Sequence, residues 1–209
     1  MRRFSGIDSK DAILPHRPYS SSNSPPPGVI FPAGRSRIAN IIVTAQPSIL
    51  VGIASRTVWV RVEGKGSFLN STGLKEFAKE MVNRGFREFA VDLCNCPVMD
   101  STFMGTLAGI ALRLRELGQG QLRVTNLNER NRDLLGNLGL DQLFTIDSGT
   151  QAPPEPMAQQ PLTTGAPDKV TQAQTMLEAH EACVQADESN AAKFKDVLDY
   201  LKQDLHLAR

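Results

Sequence analysis

The feature that most constrains this chain is a hydrophobic period that switches repeatedly between two values from Ile49 to Ile146. "ILVGIA" (Ile49–Ala54) and "TVWVRVE" (Thr57–Glu63) are rich in β-branched residues. The second alternates Val58, Val60 and Val62 with Trp59 and Arg61, which is the period of a strand. The short joint Ser55-Arg56 predicts a hairpin between them. "STGLKEFAKEMVNRG" then adopts a helical period, with Leu74, Phe77, Ala78, Met81 and Val82 in one stripe and Gly85 as a stop. "EFAVDL" (Glu88–Leu93) is nearly continuous in apolar residues, as a buried strand should be. A second helix carries Met104, Leu107, Ala108, Ala111, Leu112 and Leu114 on a broad face and ends at Gly118 and Gly120. Strand "LRVT" (Leu122–Thr125), helix "NERNRDLLGNLG" closed by Gly139, and a short strand "LFTI" (Leu143–Ile146) complete the run. Strands that alternate with helices bury their apolar faces against one another, so the expected fold is α/β. It has a mixed sheet of four to five strands, partly parallel and covered by helices.

Two breaks bound this unit. Residues 1–46 include "YSSSNSPPPG" (Tyr19–Gly28), which has no apolar period and cannot offset the entropy of ordering, so disorder is expected there. Residues 148–167 hold five prolines and read as a semi-extended linker. The domain is therefore expected over 47–147, followed by a helical extension over 168–209. From Val170 onward the extension contains neither Gly nor Pro, and apolar positions recur at a spacing of three and four. That stripe suits a coiled coil, and with it a homodimer. His180 and Asp187 fall in the seam, however, and Met176, Cys183 and Val197 widen it, which suits packing on a globular surface. A helical hairpin broken near "DESN" (Asp187–Asn190), with Ser189 as a new cap, is the other form open to it.

The balance of charge narrows the partners. The formal net charge is +1 and aromatics make up 6% of residues, so neither a basic surface nor a set of stacking platforms points to direct nucleic-acid binding. No apolar h-region follows the basic "MRRFSG", and no run approaches the roughly 18 apolar residues of a membrane span, so a cytoplasmic location is expected. Cys94, Cys96 and Cys183 make neither a disulfide framework nor a four-ligand zinc set, and no metal or cofactor is implied. "EGKGS" (Glu63–Ser67) lacks the first glycine of a phosphate loop, because Trp59 stands in its place, and reads as a strand-to-helix turn.

The most informative stretch is "CPVMDSTFMG" (Cys96–Gly105), where Asp100, Ser101 and Thr102 stand directly ahead of the second helix. Each is favoured at an N-cap, where a side-chain oxygen accepts from the free N–H groups of the first turn. One such residue suffices, so three leave a spare hydroxyl expected to face solvent. A phosphoryl group there would lie at the positive end of the helix, with Asp100 as an opposing charge; the two effects are similar, at about 0.3–1 kcal/mol each. Phosphorylation would thus spare the fold but spoil a close-packed interface, where a near-dianion has no partner.

"TVWVRVEGKGSFLNSTGLKEF", "REFAVDLCNCPVMDST", "ALRLRELGQGQLRVTNLN" and "LLGNLGLDQLFTI" together resemble the STAS domain, the fold of bacterial anti-sigma factor antagonists. The resemblance covers roughly residues 48–147 and is sharpest in the spacing from Asp92-Leu93 to Asp100-Ser101. It implies a phosphoprotein that acts in signal transduction and transcription regulation through protein–protein interaction. Ser101 would be phosphorylated by an anti-sigma factor that is itself a serine kinase, and Asp100, Thr102, Phe103 and Met104 would meet that partner. Phe103 stands where the family usually has glycine, and is expected to project at the rim of the site. A scaffold subunit of a lipid-transport or stress-sensing assembly, with Ser101 only a cap, is the alternative role. No enzyme is expected: His16, His180 and His206 lie outside the domain, so no Ser–His pair is expected within it, and Asp92 reads as a strand-end residue that positions the loop.

Overall fold

The computed structural model describes residues 48–118, 120–147, 158–163 and 165–207. The expectation for residues 1–46 lies outside them, as does most of the segment read as linker. Strands β1 (Ser48–Ala54) and β2 (Thr57–Glu63) pair antiparallel through the Ser55-Arg56 turn, with Ser55 at φ +56. Helix α1 (Phe68–Asn83) leads to β3 (Glu88–Asp92), α2 (Ser101–Glu116) to β4 (Gln121–Thr125), and α3 (Glu129–Asn137) with a 3₁₀ turn (Leu140–Gln142) to β5 (Thr145–Asp147). These crossovers make β2, β3, β4 and β5 mutually parallel, as helical connections require.

The sheet runs β5-β4-β3-β2-β1-β6 and so has six strands, where four to five were expected. The sixth, β6 (Gln160–Pro161), comes from the proline-rich stretch read as linker. It pairs antiparallel with β1 through Leu50↔Pro161 and Val51↔Gln160, and Leu162 N–H donates to Ile49 O at 2.7 Å. A proline is tolerated there because an edge strand can spare one donor. Val58, Val60 and Val62 of β2 enter one core with Phe89 and Val91 of β3 and Leu122 and Val124 of β4, so the period of two in the sequence becomes one buried face.

Leu74, Ala78, Met81 and Val82 of α1, and Met104, Leu107, Ala108, Ala111 and Leu114 of α2, close this core. Helix α1 starts three residues before the expected Ser71, because Ser67 N–H is satisfied by Asn70 Oδ1 at 2.9 Å. The extension is two helices, α4 (Lys169–Ala186) and α5 (Asn190–Leu207), joined at Asp187–Ser189. Asn190 is fully buried at the turn and donates to Leu138 O at 2.8 Å and Cys183 O at 2.9 Å. Ala173, Leu177 and Leu201 form a second apolar cluster between the two helices, flanked by Met176, Val197, Leu198 and Leu205. Ala173, Leu177, His180 and Leu201 of the stripe that could have served a coiled coil are thus buried within the chain, while Val170 stays exposed. Among the described residues no helix is long and apolar enough to cross a membrane.

Candidate functional site

The loop between β3 and α2 is held from three directions. Below it, the buried carboxylate of Asp92 accepts from Arg61 Nε at 2.8 Å, Asn126 Nδ2 at 2.7 Å and the Cys94 N–H at 3.0 Å. Asp92 therefore fixes the start of the loop. On one side, Gly64 N–H donates to Asn95 O and Gly66 N–H to Val98 O, while Asp100 N–H returns a bond to Gly66 O at 2.9 Å. On the other side, the fully buried Asn131 accepts from Met99 N–H at 3.1 Å and donates to Cys96 O at 2.9 Å, and Asn128 Nδ2 also reaches Cys96 O. Burial pushes the Cys96 thiol up from its ordinary value.

This frame delivers Asp100 as the N-cap of α2. One carboxylate oxygen accepts from Phe103 N–H at 2.9 Å and the other from Phe68 N–H at 3.0 Å, so a single side chain joins the starts of α2 and α1. Ser101 follows as the first helical residue and is partly exposed. Phe103 corrects an expectation: it is completely buried and does not project at a rim, and Thr102 and Met104 beside it are buried as well. The reason is Gly66: a Cβ there would stand 2.7 Å from the Phe103 ring. The bare backbone leaves the space that the aromatic fills.

The spare hydroxyl is not free, although Ser101 is partly exposed. Ser101 Oγ lies 3.0 Å from Nε2 of His180, on α4. Nδ1 of the same ring is 2.7 Å from Met176 O, which can only accept, so Nδ1 carries a proton and in the neutral ring Nε2 accepts from the serine. The Ser–His pair that chain position excluded is formed by the extension folding back. Among the described residues no carboxylate stands behind the imidazole; a backbone carbonyl orients it, and Phe194 meets it edge-on with ring centroids 4.8 Å apart.

Two glycines of α2 make this approach feasible. A Cβ on Gly105 would stand 2.1 Å from Ala179 O, and one on Gly109 would be 3.7 Å from Ala182 Cβ. Lys75 of α1 bridges to Glu178 of α4. Burial works to raise the Glu178 carboxyl, but Lys75, Gln174 and Lys79 outweigh it and hold the group below its ordinary value. A groove of about 360 Å³ remains between α1, α2 and α4, with Ala78, Val82 and Ile110 in its wall and Lys79 and Arg113 at its edge.

Residues 43–152 match the family model of the STAS domain. The chain belongs to the STAS domain family. No curated protein matches it in sequence. Among solved structures it is similar to the crystal structure of a candidate anti-sigma factor antagonist from Thermotoga maritima, TM1081. That likeness is 19% in identity with a TM-score of 0.45, over 48% of this chain and 86% of that one. The NMR structure of TM1081 gives 20% identity and a TM-score of 0.43, over 46% and 78%. The anti-sigma factor antagonist SpoIIAA in its unphosphorylated form gives 15% and 0.42, over 48% and 88%.

Sequence reasoning missed two residues of this STAS site. His180 was set apart with the extension, although Gly105 and Gly109 on α2, with Ala179 and Ala182 on α4, were a readable signal of two helices in close approach. Asn131 sits in the first turn of α3 among polar neighbours, and only its contacts across 32 and 35 residues reveal that it ties the loop.

Proposed function

We propose that this STAS protein is a phosphorylation-controlled binding protein of the anti-sigma factor antagonist type, cytoplasmic and bacterial, with Ser101 as the modified residue. The single observation that carries the reading is the placement of Ser101. It is the first residue of α2, its helix capped by Asp100 and its loop tied by Asn131, so a partly exposed serine is held at a fixed position in a family of binding domains. In the transfer, a partner kinase joins Ser101 Oγ to the γ-phosphorus of ATP. The bond to the bridging oxygen breaks, ADP leaves, and the hydroxyl proton passes to the kinase's base. The product carries a charge of about −1.5 to −2 on a surface that the unphosphorylated form offers to the partner. An anti-sigma factor kinase is the partner of this chemistry.

The test is incubation of the full chain with ATP and candidate anti-sigma factor kinases from the same genome, followed by mass spectrometry. Phosphate on Ser101, absent from Ser101→Ala, supports the reading; phosphate confined to other residues, or none with any candidate in the wild type and in His180→Ala alike, overturns it. Ser101→Asp should weaken kinase binding at least about 100-fold, while Ser101→Ala still binds. The second reading, a scaffold subunit that does not switch, is favoured by one observation: the Ser101 hydroxyl already has a partner in His180.

A further inference from the structure

A partner that reads Ser101 must land on the start of α2 and its surroundings, and that ground is taken. Helix α4 lies against α2 at Gly105 and Gly109, reaches α1 through Glu178 and Lys75, and places His180 on the serine oxygen. We infer that the α4–α5 hairpin is an intramolecular cover of the Ser101 site, so that its docking excludes both the partner and the modification. This rests on the reading of Ser101 given above and names how that site is regulated.

Three observations carry it. The first is room. Phosphorylation adds a phosphorus and three further oxygens to Oγ, whose neighbour is a ring nitrogen 3.0 Å away on a buried histidine. A phosphoryl group aimed along the Oγ–Nε2 line would displace the imidazole, which is fixed to its own helix by Met176 O. The second is the nature of the contact. Gly105 and Gly109 meet Ala179 and Ala182, whose side chains are a methyl or less, so each pair allows close approach but buries less apolar area than a Leu or Ile would, and a groove of about 360 Å³ runs beside them. The third is that the hairpin owns a core. Ala173, Leu177 and Leu201 cluster apart from the core of the sheet, so the two helices can leave together without either losing its partner. The seal is made by Ala182 and Cys183, which join the sheet's core with Ala186 and Phe194 packed beside them, and by the bonds of Asn190 to Leu138 O and Lys193 to Asn137 O.

That seal also supplies the assay. Cys183 is fully buried under the hairpin, Cys96 is buried in the domain, and Cys94 is exposed. The full chain is treated with iodoacetamide and each thiol's rate is followed by peptide mass spectrometry, in the wild type, Ser101→Asp and His180→Ala. Release predicts that Cys183 reacts at least tenfold faster in both variants, while Cys94 keeps its rate and Cys96 stays protected. Cys183 equally protected in Ser101→Asp and wild type overturns the proposal. So does joint exposure of Cys183 and Cys96, which would mean that hairpin and domain open only as one. Alkylation requires no kinase, so its failure leaves the phosphorylation reading standing, and an unphosphorylated Ser101 in the kinase assay leaves the alkylation result intact.

Discussion

Gly105→Ala separates docking of the hairpin from stability of the domain. The new Cβ would stand 2.1 Å from Ala179 O and 2.6 Å from its carbonyl carbon. Ordinary contact begins near 3.4 Å, so the helices must part by about 1.3 Å, the difference between 3.4 and 2.1. Both clashing atoms are backbone in a helix, and no rotamer can absorb the shift. A radial gap of 0.5–1 Å already forfeits a quarter to a half of the dispersion attraction across it, and overpacking of this kind costs about 1–3 kcal/mol. The docked-to-released ratio should therefore fall about 5- to 150-fold, at 1.4 kcal/mol per factor of ten. Within α2 the same change is favourable by about 0.5–1 kcal/mol, since alanine loses less backbone freedom than glycine. The expected result is rapid alkylation of Cys183 with an unchanged or slightly raised melting temperature for the domain. Unchanged protection of Cys183 would refute the close approach of α4 on α2. A collapse in melting temperature would refute the independence of the domain from its cover.

Three further outcomes follow from the same contacts. Asn131→Ala leaves the buried Met99 N–H without its acceptor and should cost about 1–3 kcal/mol in a urea titration, with faster alkylation of Cys96. Asp100→Ala removes one cap from two helices and should cost about 1–2 kcal/mol, whereas Asp100→Asn, which keeps an acceptor, should cost less. Burial pushes the Cys183 thiol from 9.0 up to about 12, so the folded chain holds this proton longer than the unfolded one. Its contribution to stability should be intact below about pH 9 and decline by about 1.4 kcal/mol per pH unit as pH rises towards 12. Cys183→Ala should lessen that slope relative to the wild type, and an unaltered slope would contradict the assignment.

The local elements were legible because each writes its own period. The alternation of Val58, Val60 and Val62 marks β2, and the stripe from Leu74 to Val82 marks α1, since burial on one face imposes that spacing directly. What escaped were contacts between distant segments. Phe103 is apolar at a helix start, and whether it points outward or inward depends on Gly66, in a loop that periodicity does not describe. The pairing of Ser101 with His180 spans 79 residues, and the small residues on α2 and α4 signal a close approach without saying which side chains meet. A short strand such as Gln160–Pro161 carries no period at all; it is defined by the free edge of β1.

That strand sets how far the cover can travel. With Leu162 still bonded to Ile49, only residues 163–168 separate the sheet from the first turn of α4. Fully extended they reach roughly 20 Å. A released hairpin is therefore a leashed competitor, present at an effective concentration of the order of millimolar for short flexible links. An incoming partner meets the site at an apparent affinity reduced by the fraction of chains uncovered. Recapture is unimolecular and does not dilute, so the set point of the response is written into the length of the leash as much as into the site it guards. Each residue added between Leu162 and Asp168 should lower the threshold for the partner without altering a single atom that the partner touches.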